Sequence, residues 1–135
     1  MVSREHNRVT IFNSTKKESQ TFKVVAEFPF DSVRKRMSVI VKDTATGKYR
    51  LLCKGADSVL LERIAFDKNG INGLRQIVDE DLYQYSCEGL RTLLVAQRSV
   101  CKEEYLEFKN HYRMLQQSIG PLKESKLLAL FDSME

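Results

Sequence analysis

Apolar residues recur at every second position between Phe22 and Phe30, and this alternation limits the possible folds more than any other feature of the chain. The alternating residues are Phe22, Val24, Ala26, Phe28 and Phe30. A period of two is the spacing of a β-strand with one buried face. The pattern therefore predicts a strand over residues 22–30 whose apolar side chains share one face.

Other short runs of apolar and β-branched residues predict a sheet around this strand. Residues 37–41 and 49–53 are two such runs, and the Asp, Thr and Gly residues between them favour a tight turn. We therefore predict that these two runs form an antiparallel hairpin. Residues 9–12 and 93–96 are candidates for two further strands.

Helical spacing replaces the alternation between and after the strands. A short apolar stripe follows Gly55, and a longer stripe over residues 74–85 precedes Gly89, which is well placed to end a helix. We predict further helices over residues 105–119 and 122–131. Because the strands come early and most helices follow, we predict an α+β fold with a twisted antiparallel sheet flanked by helices.

The length and composition suit a single compact domain. A chain of 135 residues can bury one core, so we treat residues 1–135 as one domain. The longest apolar run, residues 127–131, is far shorter than the roughly 20 residues that cross a bilayer, so no membrane span is expected. Residues 67–73 are rich in Asn and Gly and predict a surface loop.

The cysteines and the charges argue against two kinds of site. Three cysteines occur without a Cys-x-x-Cys pair and with only two histidines, which favours reduced thiols and no metal-binding residues. The net charge of +4 is mild, and Lys and Arg alternate with Asp and Glu along the chain. We therefore expect no nucleic-acid partner.

Lys54 and Gly55 come directly after the predicted strand 49–53 and directly before a helical stripe. A lysine there puts a cation at the edge of the sheet, glycine lets a ligand approach the backbone, and a helix start offers N–H groups to an anion. A phosphate or the edge of an adenine would suit this arrangement. The plainer alternative is a surface lysine followed by a glycine turn.

A second candidate site is the stretch over residues 28–37. Phe30 is followed by Ser32 and by three consecutive cations at residues 34–36. An aromatic ring near a hydroxyl and cations can stack a base and hold phosphates. The alternative is that Phe28 and Phe30 are both core residues and that the charged run is solvated.

The third candidate is Arg91, which stands between Gly89 and a predicted strand. Its planar guanidinium suits phosphate oxygens, whereas the alternative is a salt bridge to a carboxylate such as Glu88. The chain has no Walker loop, no Gly-x-Gly-x-x-Gly motif and no Ser-His-Asp set. We therefore assign no catalytic residue and expect no catalysis by the chain alone.

Taken together, three stretches resemble, in wording and order, the nucleotide-binding domain of P-type ATPases. They are EFPFDSVRKRMSV at residues 27–39, KGADSV at 54–59 and EGLRTL at 88–93. The ion pumps of this superfamily usually carry a proline where this chain has Asp57. The KGAD wording and the stretch RKRMSVIV at residues 34–41 are similar to the phospholipid-transporting branch, the flippases.

The resemblance implies that the domain binds ATP. The six residues that it assigns to the nucleotide are Phe30, Ser32, Lys35, Lys54, Gly55 and Arg91. Phe30 would stack on the adenine with Lys54 beside it. Gly55 would allow close approach, and Arg91 would reach the phosphate end. The other two residues, in the connection after Phe30, would lie near the nucleotide.

The resemblance also implies that this chain is one piece of a larger protein. The family's phosphorylated aspartate, in an Asp-Lys-Thr-Gly-Thr motif, is absent from these residues, as are its magnesium-binding Thr-Gly-Asp and Gly-Asp-Gly motifs. An acidic stretch that the family places ahead of the central strands is also missing. We therefore expect one wall of the pocket to be incomplete.

The parent implied by the resemblance is a multi-pass membrane protein that hydrolyses ATP, with Mg²⁺, to move a phospholipid. This domain would lie on its cytosolic side and carry ATP to the phosphorylation domain. Its other partners would be the actuator domain and the membrane helices of the parent chain. We expect the isolated domain to be a monomer.

Three alternatives remain open from the sequence. The first alternative is a regulatory or scaffold domain that kept the fold but binds no nucleotide. The second is the equivalent domain of a cation-transporting P-type ATPase. A third alternative is nucleic-acid binding through the cations at residues 34–36 and neighbouring aromatics.

Overall fold

The computed structural model describes residues 2–66 and 73–135 of the chain. The predicted surface loop at residues 67–73 lies outside the described residues, except for Gly73. Strands occupy most of the first half of the described chain and helices most of the second half. This order confirms the predicted α+β fold.

The described strands form one six-stranded antiparallel sheet in which each strand pairs with its neighbour in sequence. All five predicted strand positions are occupied, and a short N-terminal strand, which was not predicted, precedes them. The strands are β1 (Val2–Glu5), β2 (Arg8–Asn13), β3 (Glu18–Asp31), β4 (Arg36–Asp43), β5 (Tyr49–Gly55) and β6 (Leu94–Val100).

The helices follow the predicted stripes but differ in how they pack. They are α1 (Asp57–Leu60), α2 (Leu74–Cys87), α3 (Lys102–Gln117) and α4 (Lys123–Met134). Helices α3 and α4 both contribute buried residues to the core, as does the single buried residue of α1, Leu60. Helix α2 forms as predicted, yet none of its residues is buried.

The core lies between one face of the sheet and helices α3 and α4, and we call this face the helix face. The ring of Phe28, which is 0% exposed, stacks on Phe131 of α4 with 4.4 Å between ring centroids. It also packs against Phe108 of α3 at 5.2 Å. Tyr49 and Tyr105 form a second stacked pair across the same interface. These aromatic contacts join β3 to α3 and α4, and β5 to α3.

Strand β3 does not keep the alternation that its sequence predicts, because the β3–β4 register shifts twice. Each shift adds one residue to β3, and one added residue turns the following side chains to the other face. Val24 pairs with Val41, but Ala26 already pairs with Ile40, so Phe28 comes to lie on the helix face. The prediction that the five alternating side chains share one face is therefore wrong.

Three hairpin loops of the sheet repeat one local conformation. Each begins with an Asn or Asp whose side-chain oxygen accepts bonds from backbone N–H groups two and three residues later, and each has a positive φ at its fifth residue. Such Asx turns give the backbone polar groups of a loop their partners. The loops span residues 13–17, 31–35 and 43–47, and their positive-φ residues are Lys17, Lys35 and Gly47.

The packing of Phe28 predicts a large loss of stability in the variant Phe28→Ala. Removing a fully buried phenylalanine ring costs about 3–5 kcal/mol, whereas Phe12→Ala, at a ring that is 42% exposed, should cost less than about 1 kcal/mol. Urea unfolding of both variants and the unchanged chain measures this difference. Equal losses for the two variants would contradict the assignment of Phe28 to the core.

Candidate functional site

Strands β3, β4, β5 and β6 each have a terminus at the same end of the sheet. All the predicted site residues belong to the segments that meet at this end. Asp31 at the end of β3 pairs with Arg36 at the start of β4, which pairs with Gly55 at the end of β5. Gly55 in turn pairs with Leu94 at the start of β6. We call this end of the strands the turn end of the sheet. Pairing alone therefore brings three distant stretches of sequence together.

Phe30 lies on the sheet face opposite the helices, which we call the open face. Between Phe28 and Asp31 strand β3 has one residue more than the paired stretch of β4 from Ser38 to Arg36. Asp31 therefore pairs with Arg36, and its side chain lies on the helix face. The side chain of its neighbour Phe30 lies on the open face. The ring of Phe30 is accordingly 65% exposed. The alternative that Phe28 and Phe30 are both core residues is correct for Phe28 and wrong for Phe30.

Lys54 shares the open face with Phe30. It lies next to Cys53, a buried core residue, so the strand alternation turns Lys54 away from the helices. Its cross-strand neighbours are Met37 on β4 and Val95 on β6. Lys54 is exposed, and Val95 is 74% exposed. A ligand at the turn end would therefore meet an aromatic ring, a cation and two apolar side chains on one face.

The loop over residues 31–35 holds two more of the predicted site residues, Ser32 and Lys35, and both are exposed. The Asp31 carboxylate accepts bonds from the N–H groups of Val33 and Arg34, each at 2.9 Å. Lys35 has φ +52°, a left-handed conformation that costs a non-glycine residue about 1–2 kcal/mol. Its carbonyl accepts the N–H of Ala56 at 3.1 Å, which joins this loop to the end of β5.

Gly55 is buried against the same loop. A Cβ built on Gly55 would lie 2.6 Å from Arg36 Cβ and 2.8 Å from the carbonyl oxygen of Lys35. No side chain fits in that space, so packing within the protein is enough to require glycine here. The role in ligand approach that the resemblance assigns to Gly55 stays a prediction.

The helix after Gly55 differs from the expectation that its start would offer free N–H groups to an anion. Helix α1 has only four residues, and the N–H of Ser58 already donates to the Asp57 carboxylate at 2.7 Å. The N–H group of Ser58 is therefore already occupied and not free for an anion.

Arg91 is exposed in the connection between α2 and β6, at the turn end of the sheet. Gly89, with φ +73°, follows the last turn of α2 as predicted. Within residues 2–66 and 73–135, no ion pair joins Arg91 to Glu88 or to any other carboxylate, so the salt-bridge alternative is wrong. Lys35 and Lys54 likewise form no ion pair with a carboxylate among these residues.

The cation run at residues 34–36 is not a solvated stretch. Arg34 and Arg36 are 6% and 2% exposed, and both donate to the carboxylate of Glu135, which follows α4. Only Lys35 faces solvent. The expectation of a solvated run is therefore wrong for two of its three residues, and three adjacent cations are not available to a nucleic-acid backbone.

Sequence reasoning missed three residues that belong to this region. Met37 and Val95 flank Lys54, but their positions follow from the pairing register, which the sequence does not state. Glu135 reaches the region from the far end of the chain. The sequence gives no signal for it, because the burial of Arg34 and Arg36, which requires a carboxylate partner, is visible only in the structure.

The rest of the described surface offers no competing site among the predicted residues. A surface hollow of about 530 Å³ runs along α2, between Gly73 and Tyr83, and includes none of the predicted site residues. Among the described residues, no three His, Cys, Asp or Glu side chains cluster as metal ligands. No helix in the described ranges has both the length and the apolar character needed to traverse a bilayer.

The geometry defines an α+β domain that exposes an aromatic ring at one end of its sheet, together with cations that form no ion pair among the described residues. Comparison with known proteins gives the class. The family model described as P-type ATPase, cytoplasmic domain N, matches residues 4–128. The chain belongs to this family of P-type ATPase N domains, as the sequence resemblance predicted.

The relatives agree with the resemblance to the phospholipid-transporting branch. The chain is 44% identical over 79% of its length to phospholipid-transporting ATPase dnf2 of Schizosaccharomyces pombe, of which it covers 7%. It is 39% identical over 90% of its length to phospholipid-transporting ATPase 10 of Arabidopsis thaliana, of which it covers 10%. For human phospholipid-transporting ATPase ID the values are 37%, 85% and 9%. The chain thus spans a tenth or less of these relatives.

The ion pairs at the end of α4 predict an acid-sensitive contribution to stability. The hydrogen bond from Arg36 lowers the pKa of Asp132. A lowered pKa stabilises the folded state at pH values above the unfolded pKa of about 3.9, and the contribution is lost as the pH falls through the folded pKa.

The variant Asp132→Asn lacks this contribution. It should be less stable than the unchanged chain at pH 6, and the difference should shrink steadily below about pH 4. Thermal unfolding across pH 2.5–7 tests this, with Asp79→Asn, in an exposed ion pair within α2, as the control. A difference that is the same at every pH would contradict the assignment.

Proposed function

We propose that the chain binds ATP on the open face at the turn end of its sheet, with the adenine stacked on Phe30 and Lys54 beside it. The observation that supports this most is the exposure of Phe30 on the same sheet face as Lys54. An aromatic ring that is 65% exposed in a strand, next to a lysine without a carboxylate partner among the described residues, suits a planar base. Membership of the N-domain family supports the same ligand.

The phosphates of ATP would lie toward the loop 31–35 and Arg91. The cations Lys35 and Arg91 are exposed and, in the described chain, bound to no carboxylate, so they can meet a phosphate without breaking another ion pair. Arg91 offers a guanidinium fork suited to phosphate oxygens, and Ser32 offers a hydroxyl donor. In the parent protein Mg²⁺ would arrive with the ATP.

This chain would act by positioning and not by chemistry. We infer that its parent is a phospholipid-transporting ATPase of the membrane, as the names of the relatives suggest. This domain would lie on the cytosolic side, in keeping with the family description of a cytoplasmic domain. The domain would hold ATP so that the terminal phosphate meets the acceptor aspartate of the phosphorylation domain. Holding two reactants together removes much of the entropic cost of their encounter.

The proposal predicts that Phe30→Ala weakens ATP binding about fivefold or more, because stacking of a base on an aromatic ring contributes about 1–3 kcal/mol. Titration of ATP into the isotope-labelled chain, followed by amide chemical shifts, measures the affinity. Phe12→Ala, at another exposed phenylalanine on β2, is the matched control and should bind as the unchanged chain does.

A second pair of variants separates Lys54 from general surface charge. Lys54→Ala should weaken binding, whereas Lys48→Ala, at an exposed lysine just before β5, should not. A folded chain whose spectrum does not change at millimolar ATP would remove the proposal. That outcome would favour the nucleotide-free regulatory or scaffold alternative.

Lys35 offers a test in which binding and stability change independently. Lys35→Gly removes a cation near the phosphates and also relieves a left-handed lysine, so it should leave stability within about 1 kcal/mol of the unchanged chain. ATP affinity should fall about two- to fivefold, as for an exposed ion pair.

Lys17→Gly is the matched control, because Lys17 has the same φ of +52° at the fifth residue of an equivalent loop. It should show the same small change in urea unfolding and no change in ATP affinity. Equal effects of the two variants on ATP binding would argue against a role for Lys35 at the site.

A further inference from the structure

The end of α4 is surrounded by arginines from four other parts of the chain. Arg98 of β6 donates to the carbonyl of Met134, and Arg63, which follows α1, pairs with Asp132. Arg34 of the loop 31–35 and Arg36 of β4 both pair with Glu135. Cations near a helix C-terminus are favourable, because the last carbonyls carry partial negative charge.

The Glu135 carboxylate is the most enclosed part of this arrangement, since its side chain is 1% exposed. Arg34 Nη1 lies 2.9 Å from both of its oxygens, and Arg36 Nε lies 2.6 Å from one of them. The hydroxyl of Ser38 also donates to it. A buried charge without a partner is strongly destabilising, so arrangements that separate Glu135 from its arginines are unfavourable. The positions of these side chains are therefore fixed relative to one another.

The guanidinium of Arg34 links this carboxylate to the backbone next to Phe30. While Nη1 contacts Glu135, Nη2 donates to the carbonyl of Pro29 at 2.6 Å. Pro29 lies inside the bulge that turns Phe30 onto the open face. Arg36 Nη1 in addition donates to the carbonyl of Arg34 at 3.1 Å. One arginine side chain thus binds the backbone of the bulge, and another binds the backbone of the loop 31–35.

We propose that Glu135 is a positioning residue for the nucleotide site. Through Arg34 and Arg36 it holds the bulge and the loop 31–35, so that Phe30, Ser32 and Lys35 are presented on the open face before ATP arrives. Glu135 itself, on the helix face of the sheet, makes no contact with the nucleotide. This inference rests on the proposed ATP site, and its structural part can be tested without ATP.

Holding the loop in advance should raise affinity, because a ligand then pays less conformational entropy on binding. The loop 13–17 provides an internal comparison. Its Asn13 accepts from the N–H groups of Thr15 and Lys16 as Asp31 does from those of Val33 and Arg34. The two loops share one backbone pattern, yet only the loop 31–35 lies over Glu135.

The first measurement is amide hydrogen exchange of the full 135-residue chain without ligand. In Glu135→Gln the amides of Val33 and Lys35 should exchange about tenfold faster relative to Thr15 than in the unchanged chain, since the loop opens locally more often. Arg34→Lys keeps the charge but replaces the two nitrogens that contact Glu135 and Pro29 with one on a shorter side chain, so it should show the same local effect. This milder variant decides the matter if Glu135→Gln does not fold.

Arg98→Lys is the matched control for a purely structural effect. Arg98 also binds the end of α4, through the carbonyl of Met134, and it pairs with Glu104 of α3. It lies on β6, and none of these bonds goes to the loop 31–35. It should lower global stability while the exchange ratio between Val33 and Thr15 stays within about twofold. An equal acceleration at Val33 in Arg98→Lys and Arg34→Lys would overturn the inference.

The second measurement is ATP affinity, compared at equal fractions of folded protein. Arg34→Lys and Glu135→Gln should weaken ATP binding about three- to tenfold, and Arg98→Lys should not. If ATP binds the unchanged chain and both loop variants equally well, the inference fails and the proposed function stands. If the unchanged chain binds no ATP, the proposed function fails, and the positioning of a nucleotide fails with it.

In that case the exchange ratio still decides whether Glu135 orders the loop. An unchanged ratio in folded Arg34→Lys would overturn this structural part as well.

Discussion

One added residue in strand β3 decides which face of the sheet carries Phe30. A strict alternation from Phe28 would send Phe30 toward the helices, because side chains of a strand change face at each step. The bulge between Phe28 and Asp31 breaks that alternation, so that one phenylalanine fills the core and the next stands exposed. Everything that we propose about the site depends on this local change of register.

The bulge is compatible with the sheet because the backbone of Pro29 leaves no polar group without a partner. Pro29 has no N–H to leave unpaired, and its carbonyl accepts from Arg34. Arg34 and Arg36 in turn need a carboxylate, because buried guanidinium groups without one are costly. Glu135 meets that need from the end of α4, whose ring Phe131 also stacks on Phe28. Core packing and buried ion pairs thus both hold the bulge of β3 from the helix face of the sheet.

The antiparallel sheet, the positions of strands β2 to β6 and the helices α2, α3 and α4 were predictable from the sequence, since periodicity and turn residues determine them locally. The faces of β3 were not predictable, because a bulge depends on pairing with β4 and leaves no mark in the alternation. The environment of the cations at residues 34–36 was missed for a related reason. Their partner lies about a hundred residues away in sequence, and charge runs are usually solvated.

The candidate site was named from a resemblance, and the structure adds its geometry. Phe30, Lys35, Lys54 and Arg91 belong to one end of the sheet and expose their side chains. Gly55 has a packing role that the resemblance did not suggest. The N-domain family and the phospholipid-transporting relatives agree with that resemblance, while the chain covers only a small part of each relative.

The central claim is that an adenine ring stacks on the phenylalanine that the bulge exposes. The most direct measurement is a set of nuclear Overhauser contacts between the H2 and H8 protons of ATP and the ring protons of the chain. We expect contacts to the Phe30 ring and to the Lys54 side chain, and none to the buried ring of Phe28. Contacts confined to the hollow along α2, or an adenine near none of the residues at the turn end, would contradict it.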